Sequence, residues 1–148
     1  MRILLILILS GFLYTQAYRP LMAERHFFLS KVAPNQAQAE EHILKALELD
    51  PHNTVYLHRA ATLALHMGRT GARDFIERSI VDHNGDIIRW AQWYLKGEVA
   101  MASGSLLEAQ AAFEKALWYN SEFGEARKKL EQVKGILKEH DKVLIKIR

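Results

Sequence analysis

Apolar residues recur every three or four positions along most of the chain, which is the spacing of one face of an α-helix. Short breaks containing Gly, Pro, Asn or Asp separate these stretches, and such residues are typical of helix ends and turns. The pattern predicts an all-α protein, with strand confined at most to residues 143–148. The predicted helices cover 18–32, 36–49, 54–67, 72–81, the two stretches on either side of a break at 102–104, and 124–140.

Small and large residues alternate between the two helical stretches within 90–123. The small residues are Gly97, Ala109 and Ala116, and the large ones are Trp93 and Phe113. Small side chains let two helix backbones approach, and large ones fill the space beside them. This pattern predicts two antiparallel helices in close contact.

The second helix of this pair opens with Ser105 and Glu108, which have the spacing of a capping box. In that motif the two side chains bond to free backbone N–H groups of the first helical turn. Asp86 is expected to cap the start of the first helix of the pair, which carries Trp90 and Trp93.

This helix–turn–helix unit resembles one tetratricopeptide (TPR) repeat, a motif of about 34 residues. The resemblance rests on Ala109, on Phe113 four residues later, and on Ala116. Three positions depart from the Leu, Tyr and Pro of the family, namely Lys96, Ala100 and Ser121.

Earlier helices align with this unit in three columns that keep the same separations. The columns are Ala39, Ala72 and Ala109; Ile43, Ile76 and Phe113; and Ala46, Ser79 and Ala116. The resemblance therefore implies an α-solenoid of three TPR-like repeats, at about 20–53, 54–89 and 90–123. A hydrophobic N-terminal helix would precede the repeats, a C-terminal capping helix at 124–140 would close them, and a basic, apolar tail at 141–148 would follow.

The N-terminal segment, residues 1–18, carries no charged side chain from position 3 onward and is rich in Ile and Leu. It is predicted to be a membrane anchor, although a span needs about 20 residues and the helix would have to continue past Arg19. The alternative is a secretory signal cleaved after Ala17. A buried helix of a soluble domain is the third interpretation. The first two place the TPR-like domain, residues 19–148, at or beyond a membrane, and we expect the periplasmic or extracytoplasmic side.

Residues with catalytic or metal-binding chemistry do not form a recognisable site in the sequence. The chain has no Cys, which excludes disulfides, thiolate metal sites and cysteine nucleophiles. Its seven histidines are scattered, and His58 and His66 lie about 12 Å apart along one helix, too far for one ion. No phosphate-binding glycine loop, GxSxG or HExxH motif occurs. We therefore predict that the protein is not an enzyme and has no cofactor or metal.

Two surfaces are predicted to make contacts. The TPR resemblance implies a concave groove for a protein partner, lined by His58, Thr62, His66, Tyr94, Glu98 and Met101. The basic C-terminal end is expected to be a solvated face or a contact for anionic headgroups or glycan phosphates. It comprises Lys128, Lys129, Lys138, Lys142, Lys146 and Arg148.

The favoured function is a non-enzymatic scaffold that holds a partner protein at a membrane surface. The formal net charge of +3 does not by itself argue for nucleic acid, and no nucleic-acid partner is predicted. The order of hydrophobic helix, residues 18–23, repeats and basic end also resembles the C-terminal TPR tail of O-antigen ligase or polymerase-type membrane proteins. That resemblance implies a role in cell-surface glycan assembly, as a tail or free-standing relative. A secreted periplasmic assembly factor is the remaining alternative.

Overall fold

The structure is a computed structural model and describes residues 9–81 and 88–147, with side chains as far as residue 140. The described chain is helical and contains no strand, which confirms the prediction of an all-α protein. The α-helices in this part of the chain are α1 (Arg19–Val32), α2 (Gln36–Leu49), α3 (Thr54–His66), α4 (Ala72–Val81), α5 (Arg89–Ala102), α6 (Leu106–Tyr119) and α7 (Gly124–Ile147).

The chain before α1 is also helical, so that one helix runs from residue 9 to residue 32. Its segment Tyr14–Tyr18 is a π-helix, in which the N–H of Arg19 donates to the carbonyl of Tyr14. Pro20 follows immediately. Because proline has no N–H to donate and its ring crowds the preceding turn, a wider turn at this point relieves the crowding.

The predicted membrane segment is described only in part, because residues 3–8 lie outside the described residues. Within the ranges 9–81 and 88–147, no helix combines the length and the apolar content needed to cross a membrane. The described part of the segment exposes large apolar side chains, which are Leu9, Phe12, Leu13, Tyr14 and Tyr18.

Each helix packs on the next one along the chain. The most extensive contacts join α1 with α2, α3 with α4, and α5 with α6. The buried residues form three clusters, built from α1–α2–α3, from α3–α4–α5 and from α5–α6–α7. Because α3 and α5 each contribute to two clusters, neighbouring helix pairs are joined by a shared helix.

The predicted small–large contact lies between α5 and α6. A Cβ atom added at Gly97 would lie 2.5 Å from the ring of Phe113, so only glycine allows this approach. Phe113, Ala109 and Ala116 are fully buried. This contact and the burial of both alanines are therefore confirmed.

Side-chain caps and glycine turns mark several helix ends. Asn35 and Asn53 accept hydrogen bonds from backbone N–H groups at the starts of α2 and α3. Gly68 and Gly104 follow α3 and α5 with φ of +64° and +76°, a left-handed conformation that glycine adopts without steric cost. The predicted cap Asp86 lies outside the described residues.

The predicted capping box at the start of α6 is wrong. Ser105 precedes the helix but makes no capping hydrogen bond, and its hydroxyl lies 3.3 Å from that of Ser103. Glu108 instead pairs with the guanidinium of Arg73 and, at 3.6 Å, with Lys96. The backbone N–H of Ser105 donates to the carbonyl of Ala100 at 2.9 Å, so it is not available to this carboxylate.

Lys96, which departs from the TPR pattern, belongs to an ion-pair network across three helices. Arg73 on α4 pairs with Glu77 at 3.1 Å and also with Glu108 on α6. The Nζ of Lys96 on α5 lies 3.9 Å from Glu77 and 3.6 Å from Glu108. Lys96 is therefore accommodated because two carboxylates, Glu77 and Glu108, lie beside it where the α3–α4 and α5–α6 pairs meet.

Candidate partner-binding surface

The ring of Tyr94 is held by aromatic neighbours on α6 and before α7. Its centroid lies 5.7 Å from that of Phe113 and 4.9 Å from that of Phe123, and Trp90 packs on Phe123 at 4.5 Å. Such ring pairs are worth about 0.5–1.5 kcal/mol each beyond the area that they bury. This aromatic group positions Tyr94 at the junction of α5 and α7.

The hydroxyl of Tyr94 donates a hydrogen bond of 3.3 Å to Oε1 of Glu98. Burial and the neighbouring carboxylate of Glu98 raise the pKa of Tyr94 to about 12. Lys129 on α7 lies 3.7 Å from the same Glu98 oxygen. A polar chain of three side chains thus connects the predicted groove with the predicted basic end.

A pocket of about 330 Å³ opens beside this chain. We call it the end pocket, and its lining residues are Tyr94, Glu125, Lys128, Lys129 and Gln132. Tyr94 is predicted on one surface and both lysines on another, but the structure brings them together. Neither predicted surface includes Glu125 or Gln132, although their spacing of three or four residues from Lys128 and Lys129 puts all four on one side of a helix.

The other groove residue on α5, Met101, is half-buried against the third cluster, as is Tyr94. Both side chains therefore contribute to packing between α5, α6 and α7. Truncation of either one would therefore remove core contacts.

The three groove residues predicted on α3 lie in different surroundings. His58 and Thr62 are half-buried, with the Thr62 hydroxyl donating to the His58 carbonyl at 2.9 Å, and His66 is exposed. Within the described part of the chain, no hydrogen bond, ion pair or ring contact joins them to Tyr94 or Glu98. The described contacts of Tyr94 therefore join it to the end pocket and not to the predicted groove residues of α3.

His58 should make the stability of the protein depend on pH. Burial lowers the pKa of His58 below its usual value of 6.5, and its buried Nδ1 has no hydrogen-bond partner among the described residues. The unfolded chain therefore binds the proton more readily, so stability is full above about pH 6.5 and falls as the pH drops below it. We expect a lower urea midpoint at pH 5 than at pH 7.5.

The matched variants are His58→Gln, which should shrink this difference, and His66→Gln at an exposed position, which should retain it. An equal pH dependence in the parent and in His58→Gln would contradict this assignment.

The remaining residues of the predicted basic end lie along α7. Lys128 and Lys138 are exposed and make no ion pair with any described residue. The side chains of Lys142 and Lys146, and all of Arg148, lie outside the described residues. The end pocket is therefore the part of this basic surface with a defined geometry.

Histidine and carboxylate side chains do not assemble into a metal centre in the described part of the chain. No group of three or more potential ligands occurs there. Nδ1 of His26 and Nδ1 of His42 lie 3.4 Å apart, and the cationic side chains of Arg25 and Lys45 lie nearby. These positive charges disfavour a bound cation.

The end pocket presents an aromatic ring, two ammonium groups, an amide and a carboxylate around one opening. Such a set can hold an extended polypeptide segment through an apolar contact to Tyr94 and a charged contact to Lys128. No protein-family model matches the chain, and no curated protein matches it significantly in sequence.

Proposed function

We propose that this protein is a non-enzymatic scaffold that binds a partner protein, built from three TPR-like helix pairs and the capping helix α7. The observation that carries the proposal is the succession of pairs whose cores share α3 and α5. Repeat proteins of this kind bury their apolar faces between neighbours and use the remaining surface for binding. The close approach of Gly97 to Phe113 supports the TPR-like packing of the third pair.

The end pocket is the proposed binding site. Tyr94 offers a fixed aromatic face, which is typical of the anchors that dominate protein interfaces. Lys129 is already paired with Glu98, whereas Lys128 is exposed and makes no ion pair with a described residue. We therefore assign the charged contact to Lys128 and expect a partner segment with an acidic side chain beside an apolar one.

The proposal places this scaffold at a membrane through residues 3–18, with the helical pairs on the periplasmic or extracytoplasmic side. The exposed apolar side chains at residues 9–14 support it, because contiguous apolar surface is costly in water. A secreted form, cleaved after Ala17, is the alternative within the same proposal.

Charge reversal at Lys128 should weaken partner capture. The tagged full-length chain would be crosslinked in its own cells, and membranes would be washed with alkali before capture. We expect the chain in the washed pellet and a partner crosslinked to it. Lys128→Glu should lower capture about tenfold, since it puts a repulsive charge where an acidic side chain binds, at a cost of about 1.4 kcal/mol.

Lys138→Glu is the matched control, because it makes the same change at an exposed position of α7. An equal loss of partner capture in both variants would show that the effect of charge is general. The end pocket would then no longer be the proposed binding site. Release of a chain lacking residues 1–17 would replace the anchored form by the secreted one.

A further inference from the structure

One side of the long N-terminal helix carries a regular exposed stripe. We call it the outer stripe, and it consists of Tyr14, Tyr18, Leu21, Arg25, Phe28 and Val32. Its apolar members are 51–63% exposed, which is high for side chains of this size. The stacking of Tyr14 on Tyr18, with centroids 5.5 Å apart, shows that the stripe continues through the π-helix.

The stripe is separate from the face that holds this helix in the fold. Ala23 and Ser30 are buried on that inner face, and Phe27 packs on Tyr56 of α3 with ring centroids 4.9 Å apart. The apolar residues of the outer stripe are therefore not used in packing this helix against the described part of the chain.

The residues of the outer stripe alternate in steps of four and three, which is the heptad spacing of a coiled-coil seam. A strict seven-residue repeat matches a second helix that coils around the first. In this register Tyr14, Leu21 and Phe28 occupy d positions, and Tyr18, Arg25 and Val32 occupy a positions. The helix from residue 9 to residue 32 is about 36 Å long, enough for about three heptads.

The charge of Arg25 indicates which kind of helix can pair with the outer stripe. It is exposed and makes no hydrogen bond or ion pair with any residue that the structure describes. Glu24 precedes it at a g position and is exposed, while its Oε1 accepts a hydrogen bond of 2.8 Å from Tyr56. In a parallel pair, a residue at a packs beside the partner's preceding g residue. A second copy of this chain would therefore place Glu24 beside Arg25 on both sides of the seam.

We propose that the outer stripe is the interface of a parallel homodimer of this protein. Apolar a and d residues form its seam, and two reciprocal Arg25–Glu24 pairs set its register. Packing against α2 and α3 already holds the helix, so association does not have to nucleate it. The interface is on the N-terminal helix, residues 9–32, and does not include the end pocket, so either proposal can fail without the other.

Cysteine crosslinking of the full-length chain in mild detergent tests the arrangement, because the chain has no native Cys. In a parallel pair, identical d positions face each other, so Phe28→Cys should give a disulfide-linked dimer under mild oxidation. Ala111→Cys, exposed on α6, is the control and should give no disulfide-linked dimer. Equal crosslinking at the two positions would overturn the proposal.

An antiparallel pair gives a different result. It would crosslink a mixture of Tyr18→Cys and Phe28→Cys chains but neither variant alone, and that outcome would also overturn the proposal. Absence of any crosslink, together with flotation on phosphatidylcholine vesicles that is lost in Leu21→Ser with Phe28→Ser, would assign the stripe to lipid instead.

Arg25→Glu tests the charge pairing. It would place a second carboxylate beside Glu24 of the other chain, and we expect the dimer Kd to rise tenfold or more by analytical ultracentrifugation. Lys138→Glu on α7 makes the same charge change away from the stripe and should leave the Kd unchanged. An unchanged Kd in Arg25→Glu would overturn the assigned register.

Discussion

Replacing Gly97 with alanine should destabilise the protein, whereas the same change at Gly135 should stabilise it. A Cβ atom at Gly97 would lie 2.5, 2.6 and 2.8 Å from three ring atoms of Phe113, and that ring is fully buried. Alanine improves helix propensity by about 1 kcal/mol. Overpacking of a core costs about 1–3 kcal/mol. The steric cost therefore outweighs the gain at Gly97.

Gly135 provides the matched control within α7. It is exposed, and a Cβ atom there would meet no atom within 4 Å, so only the gain in helix propensity of about 1 kcal/mol remains. Thermal unfolding of the two variants should give melting temperatures on opposite sides of the parent value, by about 2–4 °C per kcal/mol. A rise in both would show that α5 and α6 do not approach at Gly97.

A second pair of variants tests the alanine side of the same contact. Ala109→Leu should lower the free energy of unfolding by about 1–3 kcal/mol, because Ala109 is fully buried in the cluster shared by α5, α6 and α7. The added side chain has no space, so either the helices move apart or the leucine takes an unfavourable rotamer. Urea denaturation monitored by circular dichroism measures the loss.

Ala111→Leu is the control, since it makes the same change two residues later on the exposed side of α6. Its effect should stay within about 0.5 kcal/mol, as for most surface substitutions. Equal unfolding midpoints for the Ala109 and Ala111 variants would show that the alignment of small residues does not identify helix contacts in this chain.

The helices and this contact could be predicted because both depend on neighbours in sequence. The predicted spans 36–49 and 72–81 agree with α2 and α4, since apolar spacing and turn residues report directly on helix faces and ends. Gly97 and Phe113 lie on consecutive helices joined by a short turn, so their pairing requires only a hairpin. Local periodicity was sufficient in both cases.

The predicted capping box does not form because both of its residues have partners outside the motif. Ser105 and Glu108 have the correct spacing, but the Glu108 carboxylate is within reach of Arg73 and Lys96 on other helices. The backbone N–H of Ser105 donates to the carbonyl of Ala100, near the end of α5, and is not free to bind Glu108. No pattern within residues 105–108 could reveal either set of partners.

The sequence by itself determined the helical class, the turns and the small–large contact between α5 and α6, because each follows from residue spacing along one or two helices. Only the tertiary structure decided the candidate site. Tyr94 and Lys128 are far apart in the chain, and they meet because α7 packs across the end of the α5–α6 pair. The angle and position of that packing depend on how side chains of three helices fit together, and that fit leaves no periodic signal in the sequence.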